Sequence, residues 1–167
     1  MTASLKLFAT QWSVRWYPSQ EKEWSWAEKF SAIRDAGFDG VMSTPITELR
    51  ERGDLAFWAI GSFGVGHDLR PFFEQSTALG AAGATVQPCD VETPLEECVE
   101  VVRNVQKIAR EFGLHTGIET HRDTFTETPE RTWDMADGYQ RAEQQLVPLC
   151  FDHHSHFAVV RHLSPPY

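Results

Sequence analysis

Basic residues, paired cysteines and long apolar runs are all scarce in this sequence. Lys and Arg number 15 against 24 Asp and Glu, a net charge of -9, which disfavours a protein that wraps a phosphate backbone, because such binding relies on clustered positive charge. The three cysteines (Cys89, Cys98 and Cys150) are odd in number and widely spaced, so they form neither a disulfide framework nor a zinc motif. No window reaches the ~18 apolar residues of a membrane span, and the N-terminus lacks a secretory pattern. We therefore expect a cytoplasmic protein that binds neither nucleic acid nor membrane.

The sequence contains enough hydrophobic residues to form a packed core. It has 167 residues, of which 41% are hydrophobic and 12% aromatic. That amount supports one domain and is too little for two. We expect residues 1–167 to form a single domain.

Strand-like and helix-like segments alternate along the whole chain. Three times a helical segment is followed by a glycine and then a strand, at Ala36-Gly37-Phe38, Ala82-Gly83-Ala84 and Phe112-Gly113-Leu114. Strict alternation of this kind predicts an α/β fold with a parallel sheet and right-handed crossovers. About six βα units are used by residue 160, whereas a closed eight-unit barrel needs ~250 residues. The chain is thus an open sheet or a barrel that is truncated after about six units, and we favour the truncated barrel because residues 161–167 read as a loop with no covering helix.

The individual elements follow from periodicity and from cap signals. Helices are expected after Pro18, from a cap at Asp68, from a capping box at Thr93 to Glu96, and from Thr128, the last with Trp133, Ala136 and Tyr139 inside. The glycine-rich residues 61–67 lack the features of a phosphate loop and are expected to form a flexible rim. Strands are expected at residues 5–14, 38–42, 56–60, 84–87, 114–119 and 147–151.

Two strand ends carry most of the chemical information. One apolar strand ends in Glu119-Thr120-His121-Arg122, and the next ends in Asp152-His153-His154-Ser155-His156. Because parallel strands open their carboxyl ends to the same side of a sheet, these groups should form one site. Oxygen and nitrogen ligands without thiolates suit a divalent ion such as Mn, Mg, Co or Zn.

These two motifs, Ile118 to Arg122 and Cys150 to Phe157, resemble those of the sugar isomerases and epimerases among the xylose isomerase-like TIM barrels. The resemblance implies that Glu119 and Asp152 bind one divalent metal ion. In that family a histidine three residues after the aspartate contacts substrate, whereas here the third residue is Ser155 and the histidine is His156. Either Asp152 is the ligand and the histidine is displaced, or His153 holds the ligand position and His156 keeps its place; we prefer Asp152. The family's remaining ligands, a histidine and a second glutamate, belong to the last two strands, which this sequence does not reach.

Further residues at strand ends are candidates for substrate contact, each with a structural alternative. His121 either contacts substrate or donates a hydrogen bond to loop backbone, and Glu119 itself has an alternative as an ordinary carboxylate paired with Arg122. Gln87 is placed to reach sugar hydroxyls, although surface polarity also explains it. Trp12 either packs on the apolar face of a sugar or belongs to the core.

The sequence therefore predicts a divalent-metal-dependent isomerase or epimerase that acts on a sugar or sugar phosphate. Glu119 would move a proton through an enediolate, together with a second carboxylate that lies among the missing residues. The alternatives are a zinc phosphodiesterase of the abasic-site endonuclease type, or an inactive fragment or sugar-binding remnant. The 167-residue chain by itself is expected to be inactive, and its unpaired edge strands favour association into oligomers.

Overall fold

The computed structural model describes residues 5–152, which contain one sheet of six parallel strands. The order of the strands in the sheet is the same as their order in the chain. Each strand pairs with its sequence neighbours, so that β1 and β6 form the two ends of the sheet. The strands are β1 (Phe8–Thr10), β2 (Gly40–Ser43), β3 (Ala56–Phe63), β4 (Ala81–Pro88), β5 (Thr116–Thr120) and β6 (Leu149–Phe151).

Four α-helices connect these strands. Between β2 and β3 the connection is instead a short 3-10 helix, Thr47–Glu51. No helix within residues 5–152 is long and apolar enough to cross a membrane. The helices are α1 (Trp26–Asp35), α2 (Arg70–Ala78), α3 (Leu95–Glu111) and α4 (Pro129–Glu143).

The strand order decides between the two architectures that the sequence allowed. A doubly wound open sheet reverses its strand order at a switch point, whereas a barrel adds each strand next to the previous one. The observed order is sequential throughout, with all neighbours parallel. Residues 5–152 therefore form a half-barrel of six parallel strands with five helical connections, and the expected truncated barrel is confirmed.

The hydrophobic core lies between the outer face of the sheet and the helices. Alternate strand residues such as Val41, Phe57 and Ile118 are fully buried there, because successive side chains of a strand point to opposite faces. They pack with helix residues that recur at helical spacing. These include Phe30, Ile33, Phe73, Val102, Val105, Met135 and Tyr139.

The inner face of the sheet surrounds an open groove of about 730 Å³. Trp58 lies in this groove, where its indole nitrogen donates a hydrogen bond of 2.9 Å to the Thr85 hydroxyl. Gly83 makes room for the indole, since a Cβ at this position would lie 2.4 Å from the ring. Gly83 thus belongs to β4, and the glycine with left-handed backbone that follows α2 is Gly80, at φ 74°.

The first strand and the first helix are both shorter than expected. β1 spans only Phe8–Thr10, because the Thr10 hydroxyl accepts a hydrogen bond from the Ser13 backbone and turns the chain into a 3-10 helix. α1 begins at Trp26 and not after Pro18. Its start is fixed by a capping box in which Ser25 and Glu28 exchange hydrogen bonds between side chain and backbone.

The capping box expected at Thr93 is wrong. α3 begins at Leu95 with Pro94 in the cap position, and no side chain caps it. The Thr93 hydroxyl donates instead to the Asp90 carboxylate at 2.8 Å. Asp90 also accepts the Thr93 backbone N–H, so the carboxylate organises a tight loop that competes with the cap.

Trp133 was expected inside and is 75% exposed, whereas Tyr139 on the same helix is buried as expected. Trp133 lies on the side of α4 that borders the outer face of β6. In a complete barrel the helix that follows the sixth strand packs on this face. Among residues 5–152, Trp133, Leu149 and Phe151 line an open groove of about 520 Å³ on this face.

Candidate metal and active site

Glu119 lies near the carboxyl end of β5, on the inner face of the half-barrel. Its neighbours Ile118 and Thr120 are fully buried toward the helices, so the alternation of the strand directs Glu119 to the opposite face. The backbone carbonyl of Glu119 accepts a hydrogen bond of 2.6 Å from the Thr126 hydroxyl. The strand end that carries the carboxylate is therefore held in place by the loop that follows it.

A chain of two hydrogen bonds reaches Glu119 across the adjacent strands. The Ser62 hydroxyl donates to Gln87 Oε1 at 2.6 Å, and Gln87 Nε2 donates to Glu119 Oε2 at 2.9 Å. The three residues lie on β3, β4 and β5. Gln87 is thus placed beside the predicted metal ligand and holds one of its two oxygens.

The surroundings of Glu119 favour its protonated form. Burial raises the pKa of the Glu119 carboxyl above its ordinary value, and the nearby Asp152 charge adds to the rise. The hydrogen bond from Gln87 and the proximity of His121 act in the opposite direction on this pKa without cancelling the rise. A carboxyl group with a raised pKa is a stronger base than an ordinary glutamate, which suits it to take up a proton from a substrate.

Asp152 directly follows β6, the strand that pairs with β5. Its backbone N–H donates a hydrogen bond of 2.9 Å to the Thr120 hydroxyl, which ties the end of β6 to the end of β5. Phe151 is the register partner of Thr120, so Asp152 lies one position beyond the paired end of β5. The two residues that the resemblance implies as metal ligands therefore lie at the ends of neighbouring strands. His153, the alternative ligand, and His156 lie outside the described residues.

Two structural alternatives concerned this strand end: that Glu119 pairs with Arg122, and that His121 bonds to loop backbone. Arg122 pairs with Asp123 at 3.8 Å, and Glu119 takes its hydrogen bond from Gln87, so Glu119 is not the ordinary Arg122 partner. His121 does bond to loop backbone, since Nδ1 lies 2.6 Å from the Arg122 carbonyl, which can only accept. A substrate contact by His121 would therefore use Nε2.

Trp12 lies on the opposite side of the half-barrel from Glu119, at the end of β1. It is 49% exposed and so is not a core tryptophan. It borders a small groove at the rim together with Arg15, Trp16 and Lys29. Four strand steps separate β1 from β5, so the structure does not place Trp12 next to the carboxylates.

The donor set fits a divalent ion only in part. Glu119 and Asp152 are hard oxygen donors, which Mg, Mn and Zn all accept. Within residues 5–152, however, no three His, Cys, Asp or Glu side chains are grouped closely enough to hold a metal ion. Glu119 and Asp152 would therefore supply only one side of a coordination shell.

Sequence reasoning missed Ser62, because the glycines around it suggested a flexible rim. β3 in fact continues through Phe63, and the alternation of Trp58, Ile60 and Ser62 was the available signal. It also missed Gln11, whose side-chain oxygen accepts hydrogen bonds from Ser43 at 2.7 Å and Thr44 at 3.3 Å. These contacts join the ends of β1 and β2 on the rim.

No protein-family model and no curated protein matches the chain, but solved structures do. The probable 3-DHS dehydratase AsbF from Bacillus anthracis is 14% identical, with 92% of this chain and 65% of that chain covered and a TM-score of 0.64. The 3-keto-D-glucoside 4-epimerase YcjR from E. coli is 15% identical, with 89% and 67% covered and a TM-score of 0.60. The IolI protein with a bound zinc atom is 14% identical, with 82% and 60% covered and a TM-score of 0.54.

These similarities establish the fold. The chain spans between 60% and 67% of the length of the three structures, as a half-barrel of a larger barrel should. The barrel fold that the sequence predicts is therefore confirmed. With identities of 14 to 15%, the activity has to be argued from the site itself.

Proposed function

We propose that the complete protein is a divalent-metal-dependent isomerase or epimerase that acts on a sugar or a sugar phosphate. The observation that carries this proposal is the Glu119 carboxyl, which is half-buried at a strand end beside Asp152, has a raised pKa and has one oxygen held by Gln87. This is the arrangement of a group that exchanges protons with a bound substrate.

Glu119 and Asp152 would hold the metal ion on one side, and donors from outside residues 5–152 would complete its shell. When bound, a divalent ion would polarise a substrate carbonyl and lower the acidity barrier at the neighbouring carbon. Glu119 would then take up or deliver the proton at that carbon through a carboxylate oxygen. Gln87 would keep the carboxylate turned toward the substrate.

The remaining predicted residues would act on the substrate hydroxyls and on the sugar face. His121 would do so through Nε2, since Nδ1 is committed to the Arg122 carbonyl. Trp12, on the opposite rim, would pack on an apolar sugar face if the substrate or a loop spans the opening of the barrel. The same fold in a 3-keto-D-glucoside 4-epimerase and in a protein with bound zinc supports this assignment of substrate and metal class.

The test is turnover by the complete protein, meaning the chain with all of its barrel strands. Glu119→Gln should abolish aldose-ketose isomerisation and ketose epimerisation in the presence of Mn, Mg, Co or Zn, while the circular dichroism spectrum stays that of the parent and the melting temperature is not lowered. Glu74→Gln is the matched control, because it removes an exposed carboxylate on α2 far from the site. An undiminished catalytic rate with full metal occupancy in Glu119→Gln would refute the proposal.

A further inference from the structure

The hydrogen-bond chain from Ser62 to Glu119 runs straight across three neighbouring strands. Ser62 and Gln87 are direct register partners in β3 and β4, and β4 pairs with β5, which carries Glu119. Neither hydrogen bond is longer than 2.9 Å. The three side chains therefore rest on paired backbone and not on loops.

The chemistry of the three side chains determines which group donates and which accepts in each of the two hydrogen bonds. Gln87 turns its NH₂ toward Glu119, and an ionised Glu119 requires this orientation because a carboxylate only accepts hydrogen bonds. The Gln87 carbonyl oxygen then faces β3, where it needs a donor. The Ser62 hydroxyl supplies that donor at 2.6 Å.

We propose that Ser62 is a positioning residue for Glu119 and that it acts through Gln87. Held at both ends, the Gln87 amide cannot rotate away, and it occupies Oε2 of the carboxylate. Oε1 is then the oxygen that is presented to a metal ion or to the substrate. The role in catalysis rests on the proposed function, whereas the hold on Gln87 can be measured without it.

Ser62 is suited to this role because it does not take part in core packing. Its side chain is exposed, so it contributes nothing to the core, and removal of its hydroxyl leaves no cavity. Glutamine has several rotatable bonds, and one hydrogen bond alone leaves its amide able to swing. Ser62 reaches Gln87 only because β3 continues past Ile60 to Phe63.

The first measurement uses the metal-free 167-residue chain. The Gln87 side-chain NH₂ signals are assigned by their loss in Gln87→Ala and are then followed by ¹⁵N NMR. In Ser62→Ala the two protons should exchange faster with water and move toward the chemical shifts of a solvent-exposed glutamine side chain. Ser62→Thr, which keeps the hydroxyl, should retain the parent signals.

The matched control is Ser13→Ala, which removes another exposed rim hydroxyl that bonds to Thr10 and not to Gln87. It should leave the Gln87 signals unchanged. If Ser62→Ala also leaves them unchanged, or if Ser13→Ala alters them equally, the positioning role is wrong. Removal of the exposed Ser62 hydroxyl leaves no cavity, so Ser62→Ala should fold as the parent does, and its circular dichroism spectrum checks this.

The second measurement is Mn²⁺ affinity and, in the complete protein, steady-state kinetics. Ser62→Ala should weaken Mn²⁺ binding several-fold and lower kcat about tenfold with little change in KM, while Ser62→Thr should restore both. If Ser62→Ala changes the Gln87 signals as expected but the parent protein binds no metal, the proposed function is wrong. The positioning of Gln87 by Ser62 is then still supported. Unchanged kcat and Mn²⁺ affinity in Ser62→Ala would overturn its role in the site.

Discussion

At the scale of single residues, the site depends on how Glu119 balances burial against hydrogen bonding. Removal from water penalises its charged form, and the hydrogen bond from Gln87 recovers part of that penalty. The pKa of Glu119 therefore stays raised. A group of this kind costs the folded protein stability at neutral pH, which is a common property of catalytic carboxyls.

The cost has a defined pH dependence. Below the ordinary glutamate pKa of about 4.3, Glu119 is protonated in both the folded and the unfolded state. Its burial therefore does not reduce the free energy of unfolding at such a pH. Between that pKa and the raised folded pKa the native state binds more protons than the unfolded state, so stability falls as the pH rises.

We expect Glu119→Gln to be more stable than the parent chain at neutral pH, because a neutral amide can be buried without removing a charge from water. The difference should disappear in acid, below the unfolded pKa. Urea denaturation between pH 3.5 and 7.5 in the presence of a chelator measures it, with Glu74→Gln as the control for loss of an exposed charge. A variant that is less stable than the parent at pH 7 would contradict the raised pKa.

The carboxylates of the candidate site and Gln87 stand out in the sequence, whereas Ser62 and Gln11 do not. Glu119 and Asp152 stand out because each follows an apolar strand, and a charge at that point has no reason to be there for packing. Ser62 and Gln11 act through residues that are 25 and 32 positions away in sequence. Contacts of that kind depend on strand register, which local patterns do not contain.

At the scale of elements, the helix starts show where local signals compete. Ser25 and Glu28 form a complete capping box, but Thr93 and Glu96, with the same spacing, do not. Asp90 lies three residues before Thr93 and accepts both its hydroxyl and its backbone N–H. Strong patterns such as the long amphipathic α3 were predictable, and cap assignments failed where a second acceptor was nearby.

The two caps should therefore differ in energy. Ser25→Ala is expected to destabilise the chain by about 1 kcal/mol, because it leaves the first backbone N–H groups of α1 without a partner. Thr93→Ala should cost less, since it removes an exposed hydrogen bond within a loop. Chemical denaturation of both variants would show the order, and an equal or larger loss for Thr93→Ala would restore the capping box at α3.

At the scale of the whole molecule, the half-barrel leaves apolar surface at both ends of its sheet. Trp133, Leu146 and Phe151 are 62% to 76% exposed around β6, and Leu5 and Leu7 are exposed beside β1. In the larger barrels of the same fold, further strands and helices cover these surfaces.

We expect the 167-residue chain to associate in solution through these ends. Sedimentation velocity over a range of concentrations should show species larger than the monomer, and Trp133→Glu should shift the distribution toward monomer. Val65→Glu, on the loop between β3 and α2, changes an equally apolar exposed residue away from both ends and should have little effect. A chain that stays monomeric at high concentration would show that these faces are covered.

The central claim is that Glu119 and Asp152 together form one side of a divalent metal site. Calorimetric titration of the 167-residue chain with Mn²⁺ tests it most directly, with Glu119→Gln and Asp152→Asn as paired variants. Two carboxylates on one side of an ion give weak binding, so we expect a Kd weaker than about 1 μM in the parent, loss of measurable binding in either variant and no isomerase turnover. Submicromolar binding with turnover, or binding that survives both substitutions, would contradict this account.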